Sequence, residues 1–457
     1  MVGEIFMLMR RAAGAAKTIS ASEAAGLVRS GMWLEYGATV NIPDLFDAAL
    51  ATRIQELRDV KFRAALTLLP RASIEADAAG EHIHMINLHF SGYDRKLGDA
   101  GRSHYLPVNL GEIPDYYRRF IDPVDIVIIK ARPADANGML NFGPSNLYYR
   151  AFIERARCVI IETSTTIPHA HGVDNGIHIS EVDYIIAGDN AALPALPNQP
   201  ASEVDQAVAR LIAAEIEDGA CLQIGIGGMP NAVCALLADA NVKDLGIHTE
   251  MLPDGLVELY RRGLINGARK KLDPGKVVYT FAIGPQALYD TIDDNRDLLC
   301  NALDYTNIPD IIMQNPKVVA INSTTQVDLS GQAASESDGM RHISGTGGQA
   351  QFVRGAYASE GGKSFICLPS TYEKRGARRS RIVLQLTPGN TVTTTRADMM
   401  YIVTEYGMVN LKGKSVPERA RLLISIAHPA FREGLEREAF EAGLLPRGFS
   451  FGPPPKG

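Results

Sequence analysis

At 457 residues, with 46% hydrophobic and 21% charged residues and a mean hydropathy of -0.04, the chain has the composition of a globular protein of two or three domains, not of a disordered or fibrous one. A formal net charge of -6 and a pI near 6.0 leave no broad basic face for nucleic acid. An anionic ligand must then be met locally, by clustered cations or by backbone N–H groups.

The N-terminal stretch MVGEIFMLMRRAAGAAKTIS places its apolar residues before its two arginines, the reverse of a secretory signal, and no run in the chain approaches a membrane span. It reads as the first helix of a cytoplasmic protein. Further on, short apolar runs, DIVIIKA (125–131), CVIIE (158–162), ACLQIGI (220–226), KVVAIN (317–322) and SFICL (364–368), alternate with amphipathic stretches such as EVDQAVARLIAAEIEDG (203–219). That alternation predicts βαβ units around buried, mostly parallel sheets. The five cysteines, Cys158, Cys221, Cys234, Cys300 and Cys367, are odd in number and widely spaced, which suits buried thiols in a reducing compartment.

The two halves echo each other in order. Gly31 to Leu34, Tyr36, Gly37 and Pro43 match Gly219 to Leu222, Ile224, Gly225 and Pro230, with one residue inserted in the first half. Asp135 to Gly138 after DIVIIKA answers Asp328 to Gly331 after KVVAIN, and ISEVDYII (179–186) resembles TTRADMMYIV (394–403). An ordered set of echoes predicts an internal duplication into two similar α/β domains, 1–195 and 196–457, divided in the Pro/Ala/Asn-rich segment 190–202. The tail GFSFGPPPKG is expected to be irregular.

Only the second half carries glycine-rich loops. Gly225, Gly227 and Gly228 in GIGGMP stand between a predicted strand and the helix NAVCALLADA, where backbone N–H groups suit a phosphate or an oxyanion. A plain tight turn fits the same residues equally well. GGKS (361–364) is not a phosphate loop, because Tyr357 occupies the place of its first glycine. Gly345, Gly347 and Gly348 in SGTGGQ leave a backbone that can approach a ligand closely, or a flexible surface hairpin. Between the two loops, LGIHT reads as a strand with Glu250 at its carboxyl end, where parallel α/β sheets place ligand-binding residues.

These blocks, GIGGMPNAV, LGIHTEMLPDG, GKVVYTFAIG (275–284), INS (321–323) with VDLSGQ (327–332), SGTGGQ, VTTTRAD (392–398) and IVTEYG (402–407), resemble the family I CoA transferases. The branch is that of acetyl-CoA hydrolase/transferase and the 4-hydroxybutyrate or butyrate CoA-transferases. The resemblance runs nearly end to end and implies a two-domain fold shared with sugar-phosphate isomerases. It also implies ping-pong transfer of CoA from an acyl-CoA to a small carboxylic acid, through an acyl–glutamyl anhydride and a glutamyl–CoA thioester on Glu250. Coenzyme A is then a substrate, no cofactor is permanently bound, and the family suggests a homo-oligomer.

In that chemistry the two glycine loops are oxyanion donors, each N–H contributing roughly 3–4 kcal/mol, with Gly345–Gly348 the better candidate. No metal is needed, so His169 and His171 read as turn or core residues. Two departures from the family's pattern, Gln351 in the second loop's continuation and Pro253 after the Glu motif, bear on acid specificity. The dense cluster Lys374, Arg375, Arg378, Arg379 and Arg381 is a solvated charge run, or else a partner for CoA phosphates or the second carboxylate of a dicarboxylic acid such as itaconate or succinate. Three rival readings stay open at this level: a thioester hydrolase using the same Glu, a nicotinamide oxidoreductase using GIGGMP, and a CoA sensor without catalysis.

Overall fold

The computed structural model describes residues 14–122, 124–196 and 200–446; the predicted first helix lies largely, and the tail wholly, outside them. The chain forms two compact units, the first comprising residues up to Leu196 together with Val278–Thr306, the second the remainder.

The first unit is built on an eight-stranded sheet. Its strands are β1 (Lys17–Thr18), β2 (Trp33–Tyr36), β3 (Val60–Ala64), β4 (Ile83–Asn87), β5 (Ser103–Tyr105), β6 (Val124–Ala131), β7 (Ala156–Thr163) and β8 (Tyr184–Ala187). They lie in the order β1-β8-β7-β6-β2-β3-β4-β5, and every pairing between them is parallel. A parallel sheet is covered on both faces, which is why β6 is an almost unbroken apolar run, buried at nearly every position. Leu34, Phe46, Leu50, Val60, Ile128 and Ile160 belong to one cluster of fully buried side chains against it.

The second unit contains β9 (Cys221–Ile224), β10 (Gly246–His248), β11 (Val318–Ser323), β12 (Lys363–Cys367), β13 (Tyr401–Thr404) and β14 (Gly407–Asn410). Their order is β10-β9-β11-β12-β13-β14, parallel except for the β13/β14 hairpin at the edge. Val327, Leu329, Ile366, Ile402 and Leu423 belong to one buried apolar cluster of this unit. Four of the five cysteines are buried and Cys158 is half-buried; burial pushes the Cys221 thiol up to about 11 and Cys234 to about 12.

The duplication is visible in the topology. Five strands of each unit share one order, β8-β7-β6-β2-β3 in the first and β13-β12-β11-β9-β10 in the second. Each sequence echo falls on a corresponding pair: β2 with β9, β6 with β11, β8 with β13. The Asp-containing turns agree atom by atom. Asp135 Oδ1 accepts from the N–H groups of Asn137 (2.8 Å) and Met139 (2.9 Å), and Asp328 Oδ1 from those of Ser330 (2.9 Å) and Gln332 (3.0 Å). In each turn the third residue after the Asp is a glycine at positive φ, Gly138 at +80° and Gly331 at +95°.

Candidate active site

β10 is short, and the turn beyond it matters more than the strand itself. Gly246 and Ile247 pair with Cys221 and Leu222 of β9, fixing the register. The buried Lys270 donates to the carbonyls of Ile247 (3.0 Å) and Lys276 (2.7 Å), tying the strand to the loop beyond it, and burial lowers its pKa. Thr249 Oγ1 donates to the Met251 carbonyl at 2.9 Å, turning the chain so that Glu250 stands two residues past the strand's carboxyl end.

The Glu250 side chain keeps part of its surface accessible, while its carboxyl lies among protein atoms. Asn307 Nδ2 donates to Oε2 at 2.6 Å, and the Gly348 backbone N–H donates to the same carboxyl. Burial raises the Glu250 pKa from 4.5 to about 7, against the lowering effect of those two hydrogen bonds. A β-carbon at residue 348 would fall on the Glu250 carboxylate and the Asn307 amide, so only glycine lets the backbone come this close.

Gly348 belongs to the SGTGGQ loop, and that loop is a built scaffold, not a loose hairpin. Its glycines 345, 347 and 348 are all buried or half-buried. The buried Glu336 holds it from behind: its carbonyl accepts from the N–H groups of Ile343 (2.9 Å) and Ser344 (3.3 Å), and its carboxylate from Thr346 Oγ1 (3.0 Å) and Thr393 Oγ1 (2.9 Å). On the helical side, Gln349 Nε2 donates to Ser335 Oγ (2.9 Å) and Thr394 Oγ1 (3.0 Å). The VTTTRAD block therefore has a mechanical role, since Thr393 and Thr394 hold the two ends of the glycine loop. Glu336→Ala is expected to lower kcat about tenfold or more while the protein stays folded, because the loop loses its anchor and Gly348 its fixed position; steady-state kinetics alongside far-UV circular dichroism checks this.

The other sequence-derived residues are placed differently. Gly227, at φ +122°, caps the helix Gly228–Asp239 that carries NAVCALLADA, and a β-carbon on Gly228 would meet the Asp205 carboxylate, so these glycines serve a close helix approach. Beside Gly225 the space is open. Pro253 precedes the helix Asp254–Arg261, and Gln351 is buried within the helix Gln349–Ala358. Lys374, Arg375, Arg378 and Arg379 lie on an exposed two-stranded hairpin whose tip, Arg375–Gly376, has both residues at positive φ. Lys374 pairs with Asp338 at 3.4 Å, two residues from Glu336. Arg381, by contrast, lies against the Tyr372 ring and donates to the Thr325 carbonyl at 2.8 Å.

Asn307 and Glu336 were not singled out by sequence reasoning. Neither lies in a glycine-rich loop, and Asn307 is 57 residues from its partner. The only signal at hand was the three threonines of VTTTRAD, polar residues that need buried partners.

A parallel α/β frame that sets a glutamate of raised pKa just past a strand end, gripped by an amide and a glycine N–H, has the makings of an enzyme's reactive centre. Residues 9–197 match the acetyl-CoA hydrolase/transferase N-terminal domain and residues 284–439 the acetyl-CoA hydrolase/transferase C-terminal domain. The chain is 44% identical over 434 residues to the butyryl-CoA:acetate CoA-transferase of Anaerostipes caccae, covering 94% of this chain and 97% of that protein. It is also 44% identical over 359 residues to the 4-hydroxybutyrate coenzyme A transferase of Clostridium kluyveri, covering 78% and 82%. The crystal structure of RipA from Yersinia pestis superimposes with a TM-score of 0.86 at 36% identity, covering 94% of this chain and 98% of that one. The chain belongs to the acetyl-CoA hydrolase/transferase family and is an enzyme of the CoA-transferase type.

Proposed function

We propose that the protein transfers CoA from an acyl-CoA to a small mono- or dicarboxylic acid, with Glu250 as the covalent nucleophile. The acid is of about two to five carbons, the range of acetate, butyrate, 4-hydroxybutyrate, succinate and itaconate. The observation that carries this reading is the grip on the Glu250 carboxyl by Asn307 and Gly348.

Asn307 engages Oε2, leaving Oε1 to attack the thioester carbonyl. The C–S bond breaks, CoA leaves as thiolate, and an acyl–glutamyl anhydride remains. The thiolate then adds to the Glu250 Cδ, the acyl carboxylate departs, and a glutamyl–CoA thioester is left for the acceptor acid to attack in reverse. During each addition to Cδ the charge develops on Oε2, the oxygen that Asn307 holds, with the Gly348 N–H beside it on the same carboxyl, so the ground-state grip becomes an oxyanion hole. The buried surroundings that raise Glu250 also strip water from its carboxylate, which makes it a stronger nucleophile once ionised. In the same reading, Lys374, Arg375, Arg378 and Arg379 are the candidates for the CoA phosphates, with Gly225, Gly227 and Gly228 as further N–H donors.

Intact-protein mass spectrometry tests the proposal. After mixing with acetyl-, butyryl-, succinyl- or itaconyl-CoA, a CoA-sized adduct on the Glu250 peptide, removed by borohydride, is expected with the productive donors. Free CoA accumulating without an acceptor acid and without any adduct would instead identify a hydrolase. The pH dependence is a second check. Only the carboxylate attacks, and Glu250 holds its proton up to about pH 7. The acid limb of kcat/KM is therefore expected near 7, well above that of an ordinary glutamate.

A further inference from the structure

In the first unit two histidines and one carboxylate converge on a point that the CoA chemistry does not use. His171 Nε2 lies 2.9 Å from Asp294 Oδ1 and His169 Nδ1 lies 3.7 Å from the same oxygen; all the ligand atoms fall within 4.8 Å of one another. The imidazoles meet edge to face, their centroids 4.8 Å apart. Four-coordinate zinc with ligands at about 2.0–2.1 Å separates its ligand atoms by roughly 3.3 Å, so the three groups stand close to the spacing one ion would impose.

The frame behind them is fixed. The His169 N–H donates to Asp293 Oδ1 (2.7 Å), the Asp294 N–H to the His169 carbonyl (2.8 Å), and the Cys300 N–H to the His171 carbonyl (2.7 Å). A side chain at Gly172 would strike the Cys300 backbone, which keeps the two segments tightly apposed. His169 Nδ1 is itself shielded from solvent and has no hydrogen-bond partner among the described residues, an arrangement that leaves its lone pair unused. The charges around the cluster are Asp135, Asp293 and Asp294 against Arg132 and Arg296, a balance that admits a cation. Asp294 is exposed on its outer side, where water can complete the coordination.

We propose that His169, His171 and Asp294 bind one divalent first-row transition-metal ion, of which Zn²⁺ is the probe, pinning the His169–His171 loop to the Asp293–Asp294 turn. Binding displaces the hydrogen that His171 Nε2 now directs at Asp294, moving it to Nδ1 or to solvent, and Mg²⁺ should not substitute because imidazole is a poor ligand for it.

The test is calorimetric titration of the chelator-stripped full-length protein with ZnCl₂, alongside visible spectra after Co²⁺ addition. One equivalent of Zn²⁺ is expected, with cobalt d–d bands of an imidazole-containing site. Asp294→Asn, which keeps the positive φ that this position adopts, and His171→Ala should each weaken binding at least tenfold and remove the bands. His84→Ala, which breaks an exposed His–Asp pair of 3.6 Å, should leave both unchanged. No zinc heat and no cobalt bands in the wild-type protein, or binding that survives Asp294→Asn, would overturn the assignment. Should His171→Ala not fold, the Asn variant decides alone.

Discussion

Glu250→Gln is expected to abolish CoA transfer, by about 10⁴-fold or more in kcat, while making the protein more stable at pH 8. The first effect comes from losing the attacking oxygen, since an amide forms neither anhydride nor thioester and no neighbouring residue takes over a covalent step. The second comes from the pKa. Burial raises the folded-state value to about 7 from 4.5, so the folded protein holds this proton more tightly than the unfolded chain. A raised acid costs nothing below about pH 4.5, costs progressively more between 4.5 and 7, where the unfolded chain has ionised and the folded state still holds its proton, and reaches its full cost above 7. The shift corresponds to at most about 3 kcal/mol, and the partial exposure of Glu250 reduces it to roughly 1–2. Gln keeps an acceptor for Asn307 and carries no charge. Thermal melts of the two proteins should therefore coincide near pH 5 and separate at pH 8 with the variant higher. A variant that retains a hundredth of the activity, or a melting difference independent of pH, would contradict the assignment.

Asn307→Ala should lower kcat by roughly 10²–10³ with little change in KM for the acyl-CoA, because the donor to Oε2 matters most when that oxygen bears full negative charge. The same substitution removes a hydrogen bond that lowers the Glu250 pKa, so the acid limb of the rate profile should move to higher pH. This shift separates an electrostatic role from a merely structural one, which would change amount and stability but leave the limb in place. Gly348→Ala tests the second donor sterically. Its β-carbon would occupy the Glu250 carboxylate's position, so the two groups must part, and a loss at least as large as that of Asn307→Ala is expected, again with the fold intact.

The strands were legible because parallel sheets bury both faces, which turns β6, β7, β9, β11 and β12 into apolar runs that stand out from the amphipathic segments between them. The three echoes were legible because each sits on a strand, or on a turn that a strand feeds. Glu250 stands out by its place after LGIHT, and the role proposed for it comes from the family resemblance. The grip on Glu250 could not be read. Asn307 reaches it from another segment, and Glu336 acts through Thr346 and Thr393, contacts that exist only after the chain has folded. Likewise, the cations 374–379 read as a dense charge run, while the hairpin that displays them depends on positive φ at Arg375, a residue type that gives no turn signal.

The shared strand order makes the two units comparable position by position. Leu34 pairs with Phe62 as Leu222 pairs with Ile247, so Ala65 in the first unit stands where Glu250 stands in the second. Nearby strand ends of the first unit are not open either. Lys130 and Glu162, facing each other at the ends of β6 and β7, are buried 3.8 Å apart, and Lys130 also pairs with Asp44, which in turn meets Arg71 at 2.8 Å. Glu162 accepts the N–H groups of Leu45 and Phe46 as well. At corresponding strand ends the second unit thus presents Glu250, and the first a network of paired charges of both signs. A glutamate installed at Ala65 would share its pocket with Arg71 of that network, and removing Glu162 alone would leave the buried Lys130 with only the half-exposed Asp44 to neutralise it.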